Sequence, residues 1–164
     1  MSGIVGANLG RGSGLIKAAA GGKIGQVIAA SASPDAVQID SPSSYVQLTD
    51  GSTALVASIT PSATSSNVFV MCNIQSTFND KEGYGVSLRR GGVEFFASAT
   101  NYDVWTNSYD GSGGTRNAWF VIDTGISTTS ATEYSVYVKT FEDSAAYFQY
   151  IDNPSQLILW EILA

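Results

Sequence analysis

"GYGVSLRRGGVEFFASA", residues 83–99, alternates apolar and polar side chains, halts at Gly91-Gly92, and then alternates again. A period of two belongs to an extended strand, whose successive side chains point to opposite faces. Two glycines between such runs mark a two-residue hairpin turn, because both central positions need a positive φ. The stretch therefore reads as two antiparallel strands joined by a tight turn.

The same alternation recurs on both sides of it. Upstream lie "KIGQVIA" (23–29), "SYVQLTD" (44–50), "TALVASIT" (53–60) and "NVFVMCNIQ" (67–75). Downstream lie "NAWFVID" (117–123), "EYSVYVKTF" (133–141), "AYFQYI" (146–151) and "QLILWEIL" (156–163). About ten short strands separated by turn clusters predict an all-β sandwich or barrel. "ITPSATSSNVFVMCNI" (59–74) and "ISTTSATEYSVYVKTF" (126–141) echo each other, a Ser/Thr-rich turn followed by an alternating strand. Two similar halves are what a double Greek key would give, so the favoured sandwich is a jelly-roll-like antiparallel one. The alternative is that Ser/Thr-rich turns before strands are simply common.

The 164 residues suit one globular domain, and their charge is divided unevenly. Residues 1–23 carry Arg11, Lys17 and Lys23 with no acid, a net +3. The remainder carries 5 basic and 14 acidic residues, a net −9. Eight of the 17 glycines fall within residues 1–25, so the segment is expected to be a flexible arm. "GLIKAAA" is the only helix candidate, and Gly21-Gly22 ends it. These features divide the chain into an N-terminal arm, 1–22, and a β-sandwich domain, 23–164. An acidic body repels phosphates, which argues against nucleic acid as a partner. No run approaches 18 apolar residues, so no membrane insertion is expected, and the N-terminus lacks the pattern of a signal peptide.

Few catalytic schemes survive the residue inventory. The chain has no histidine, which removes His-based triads, imidazole shuttles and most zinc sites. "DGSGGT" (110–115) places a serine among glycines but has no general base, so it reads as a polar loop tip. Asp80, Glu82, Asp103, Asp110, Glu142 and Asp143 lie in or beside turns, and nothing singles out a pair for glycoside hydrolysis. "FNDKEG" (78–83) and "YDGSGG" (109–114) offer oxygens without the spacing of a calcium loop. "GANLGRGSG" (6–14) lacks the GK[ST] of a phosphate loop. Cys72 is the only cysteine and reads as a small buried apolar residue. The expectation is therefore no catalytic residue, no metal and no cofactor.

What remains points to contacts. The last strand is apolar on both faces, and its second face needs cover, so Leu157, Leu159, Trp160 and Ile162 are expected at a subunit interface. Tyr102, Trp105 and Tyr109 sit among polar turn residues in "NYDVWTNSYDG" (101–111), as in an exposed interaction loop.

"GSGLIKAAAGGKIGQVI", "SITPSATSSNVFVM", "TTSATEYSVYV" and "LILWEILA" together resemble short virion proteins of tailed bacteriophages of the marine and cyanophage type. Members share a "GKxxQV" first strand, an "S-I-T-P-S-x-x-S-x-x" turn and a C-terminal "LxLxEI" strand. Here these are Gly22 to Val27, Ser58 to Ser66 and Leu157 to Ile162. The resemblance implies a virion structural protein, assembled in the host cytoplasm and built as a trimeric β-sandwich on head or tail. A short arm followed at once by a domain suits a capsid decoration or cement protein. Arg11, Leu15, Ile16, Lys17 and Lys23 would then anchor it to the major capsid protein or a tail adaptor. The alternative is a tail-fibre or receptor-binding tip protein whose loops meet host surface glycans.

Overall fold

The computed structural model describes residues 23–32, 37–39, 44–49, 53–78, 82–98, 104–106, 114–140, 146–148 and 154–163. All regular structure among them is extended. Twelve strands run in order: β1 (Lys23–Ala32), β2 (Val37–Ile39), β3 (Val46–Gln47), β4 (Val56–Ile59), β5 (Asn67–Phe78), β6 (Glu82–Arg90), β7 (Val93–Ala97), β8 (Val104–Thr106), β9 (Gly114–Asp123), β10 (Thr132–Thr140), β11 (Ala146–Phe148) and β12 (Ser155–Leu163). The arm and its helix candidate lie outside the described residues.

Four pairs of these strands are interrupted halves of longer ones. β12 and β11 follow one another along the same edge of β5, and β1 and β2 continue one another beside them. β3 and β4 share one edge of β10, while β7 and β8 share one edge of β6. Joining the halves leaves two four-stranded antiparallel sheets. The first runs β1/β2, β12/β11, β5, β9, and the second runs β3/β4, β10, β6, β7/β8. In chain order the composite strands are arranged 1-8-3-6 and 2-7-4-5, which is a jelly roll of two Greek keys.

Alternation explains the core. Val68, Val70, Cys72 and Ile74 of β5 meet Leu157 and Leu159 of β12 on the inner face of the first sheet, all fully buried. Opposite them stand Tyr84, Val86 and Leu88 of β6 with Tyr134, Val136 and Val138 of β10. Tyr84 packs edge-on against Phe148 at 5.2 Å and Trp119 at 5.8 Å between centroids. The hairpin that opened the sequence reading is present, with Gly91 at φ 53° and Gly92 at 81°. The interrupted strands β2 and β8 fall where no alternation was legible.

Candidate assembly face

At one end of the sandwich the chain crosses between sheets twice, from β4 to β5 and from β9 to β10. These are the two segments whose sequences echo each other. Each crossing is clamped by a buried carboxylate, and both carboxylates lie in one cross-strand row, Glu161–Val68–Asp123.

Glu161 is 1% exposed and points inward from β12. Its Oε1 accepts from the Ser62 amide at 2.6 Å, the Ser62 hydroxyl at 2.6 Å and the Ser66 hydroxyl at 2.8 Å. Its Oε2 accepts from Gln26 Nε2 at 3.0 Å, and the same nitrogen donates to the Thr60 carbonyl at 2.6 Å. Desolvation alone would raise this carboxyl; the bonds from Ser62, Gln26 and Ser66 outweigh it and hold the pKa down at about 2. The three motifs "GKxxQV", "S-I-T-P-S-x-x-S" and "LxLxEI" thus meet at one point.

Gly25 belongs to the same arrangement. A Cβ on it would stand 2.5 Å from Glu161 Oε2 and 3.0 Å from Leu163 Cδ2. The register between β1 and β12 slips here, so Gly25 and Gln26 together oppose Glu161. This is a β-bulge, with two residues facing one.

Asp123 is 4% exposed and clamps the second crossing. Arg90 NH1 donates to both of its oxygens at 2.7 and 2.9 Å, Tyr134 OH donates at 2.7 Å and the Gly125 amide at 2.9 Å. Burial, reinforced by the neighbouring Asp123, pushes the Tyr134 hydroxyl well above its ordinary pKa. Both carboxylates are buried, each receives four hydrogen bonds from its own chain, and Val68 stands between them, so the two are not arranged as an acid–base pair around a substrate. No group of three or more metal-ligating side chains occurs among the described residues.

The outer faces of the two sheets differ in kind. On the second sheet Arg89 stacks over Tyr137 at 3.9 Å, Lys139 lies over Tyr45 at 5.0 Å, and Ser87 donates to Glu94 at 2.7 Å. That face is polar and charged. On the first sheet two rows of apolar side chains cross four strands without interruption. One is Ala29–Ile158–Met71–Phe120 and the other Val27–Trp160–Phe69–Ile122. Val27, Phe120 and Ile122 are 52%, 61% and 54% exposed, far beyond what a solvated sheet face ordinarily shows. Ile24, Phe69, Trp160 and Ile162 line an apolar hollow of about 310 Å³ beside them. Phe69 touches Trp160 at 5.2 Å and Phe120 at 6.1 Å between ring centroids. The next row, Ser31–Gln156–Asn73–Ala118, is mostly polar and closes the patch on one side.

No family model matches the chain, and no curated protein matches it. Solved structures similar to it are of infectious bursal disease virus. The Gt strain has 12% identity and a TM-score of 0.49, over 85% of this chain and 38% of that chain. The Gx strain has 13% and 0.48 over 84% and 40%, and the VP2 subviral particle 16% and 0.44 over 85% and 38%. The chain therefore spans only about two-fifths of the chains it matches. Likeness at this level leaves the protein's role to be read from its own residues.

The expected interface residues divide. Trp160 and Ile162 lie on the outer face, but Leu157 and Leu159 point inward, are fully buried, and cannot touch a neighbour. The strand's outward set is instead Ile158, Trp160 and Ile162. Lys23 opens β1 and is exposed. Arg11, Leu15, Ile16, Lys17, Tyr102 and Tyr109 lie outside the described residues, and of Trp105 only the backbone, in β8, is described. Sequence reasoning missed Ile24, Phe69, Phe120 and Ile122. Their signal was available in "NAWFVID", where Trp119 and Val121 alternate with Phe120 and Ile122, so that both faces of one strand are apolar.

Proposed function

We propose that the protein is a non-enzymatic structural component of a bacteriophage virion, a homotrimeric capsid decoration or cement protein held on the particle by residues 1–22. The observation that supports this reading most is the outer face of the first sheet, two apolar rows deep and four strands wide, opposite a polar face on the second sheet. Such one-sided hydrophobicity belongs to a subunit that is covered in its working state. The two buried carboxylates are engaged in fixing loops, which leaves the molecule built for shape and contact.

The test is the number of copies per virion, measured by quantitative mass spectrometry on intact particles and on tail-less heads. A decoration protein is present in many copies and stays on the heads. A handful of copies, lost together with the tail, would overturn the decoration role in favour of a tail fibre. Deleting residues 1–22 should leave the folded domain in solution and abolish its binding to heads.

A further inference from the structure

We propose that residues 13–22 of this chain fold back over the apolar hollow of the first sheet, with Leu15 and Ile16 entering the space between Ile24, Phe69, Trp160 and Ile162. The inference goes beyond the reading above: it says where the arm lies in the free subunit, before a particle takes it up.

Three observations favour the chain's own arm as the occupant. The first is where the arm joins the domain. β1 begins at Lys23, which pairs with Leu163, and the next residue, Ile24, lines the hollow. The arm therefore meets the domain at the rim of the hollow. Ile16 precedes Ile24 by eight residues, a span of at most about 28 Å, and Gly21-Gly22 stands between them, where the backbone can reverse. A segment on so short a tether has an effective concentration in the millimolar range, roughly a thousandfold above that of a second copy at micromolar concentration. The tether thus favours the arm over any separate chain of similar intrinsic affinity.

The second is fit. In the helical turn that "GLIKAAA" favours, Leu15, Ile16, Ala19 and Ala20 share a stripe about 140° wide, and Lys17 points away from it. An apolar cavity of about 150 Å³ takes a six-carbon ring. The hollow, at about 310 Å³, has room for the two four-carbon side chains of Leu15 and Ile16. The alanines let the rest of the segment lie close to the sheet.

The third is electrostatic. Residues 1–23 carry a net +3 and the remainder a net −9, so the arm is drawn to its own domain, whereas a second acidic domain is repelled. None of the eight side chains in the two apolar rows is ionisable, so the stripe can dock without burying a charge while Lys17 stays in water. Docked in this way, the arm shields the β1–β12 half of the face and leaves Ile122 on β9 open.

The experiment is methyl NMR of the full-length chain with a water-soluble paramagnetic agent, which broadens the signals of methyl groups open to solvent. Ile24 and Ile122 are 62% and 54% exposed on the domain, so without the arm both should broaden alike. With the arm docked, Ile24 and Ile162 are expected to keep their signals while Ile122 and Val93 lose theirs. Leu15→Asp/Ile16→Asp, and separately deletion of residues 1–22, are expected to expose Ile24 and Ile162 to the same loss. Ala18→Asp lies off the stripe and is expected to keep the protection. Roughly tenfold dilution should change nothing, because the contact lies within one chain. Ile24 broadened as strongly as Ile122 in the full-length chain overturns the proposal. Protection that survives Leu15→Asp/Ile16→Asp, or fades on dilution, overturns it in favour of a second copy. Head binding that survives deletion of residues 1–22 overturns the proposed function and leaves this inference standing. An unprotected Ile24 in a chain whose head binding requires residues 1–22 does the reverse.

Discussion

Replacing Glu161 with glutamine should remove more stability than any other single-atom exchange in the described residues, and the loss should depend on pH in a way that identifies its cause. The side chain is 1% exposed and its pKa is held at about 2, against an ordinary 4.5. In that window the unfolded chain binds the proton and the folded chain does not, so stability rises with pH and is fully present above pH 4.5. A difference of this size is worth about 3 kcal/mol at pH 7, from about 1.4 kcal/mol for each pKa unit. The contribution shrinks to about 1.5 kcal/mol at pH 3 and disappears only below pH 2 by the same linkage. Glutamine keeps the shape but turns an amide nitrogen toward donors that need an acceptor, either Gln26 Nε2 or the serines 62 and 66. Urea unfolding followed by tryptophan fluorescence at pH 7 and pH 3 measures the gap between wild type and Glu161→Gln. The gap should be about 3 kcal/mol at pH 7 and about 1.5 kcal/mol smaller at pH 3. A gap under about 0.5 kcal/mol, or one equal at the two pH values, would refute the role assigned to this carboxylate.

Three further outcomes follow from the same packing. Asp123→Asn removes the charge facing Arg90 and one of the two oxygens to which Arg90 donates, and should cost about 2 kcal/mol in urea unfolding, less than a fully enclosed ion pair because Arg90 keeps 29% of its side-chain surface. Gly25→Ala drives a methyl against Glu161 and should cost about 1–3 kcal/mol, but clearly less in a Glu161→Ala background, a coupling that a double-mutant cycle reads directly. Cys72 is completely enclosed, and burial pushes its thiol pKa up, so a disulfide reagent at pH 8 should label it only as fast as the protein unfolds.

Much of this architecture is written locally. Strands such as β5, β6, β10 and β12 announce themselves because one face is buried and the pleat has a period of two. β2 and β8 do not, because V-Q-I lies between Asp35 and Asp40 and V-W-T between Asp103 and Asn107, so neither belongs to a longer alternating run, and their pairing with β11 and β6 comes from the neighbour rather than from their own pattern. The sequence echo at residues 59–74 and 126–141 marks the two sheet crossings, yet what holds each crossing is a carboxylate on another strand. Glu161 lies 99 residues from Ser62 and 135 from Gln26, so the lock becomes visible only when the topology brings β1, the β4–β5 turn and β12 together. The last strand reads correctly as apolar on both faces, but no single-strand pattern tells which face is the core. That choice depends on β5, whose Val70 and Cys72 partner Leu159 and Leu157 on the inside.

The lock and the outer face are two sides of the same residues. Ile24 and Val27 are three positions apart, so in a regular strand they would point to opposite faces. Both are exposed beside the outward residues Ile162 and Trp160, because the bulge inserts one extra residue between them. That extra residue is accommodated only where Gly25 has no Cβ and where Gln26 finds Glu161 to receive its amide. Glu161 in turn sits between Trp160 and Ile162, and fixing its carboxylate inward fixes those two outward. The "GKxxQV" and "LxLxEI" patterns are therefore a device for building the hollow from the inside. It follows that loosening the lock should loosen the face: in Glu161→Gln the backbone amides of Ile24 and Val27 should exchange with solvent faster, measured by hydrogen exchange, while those of β6 and β10 keep their relative protection, although residue 161 is itself enclosed within its own chain.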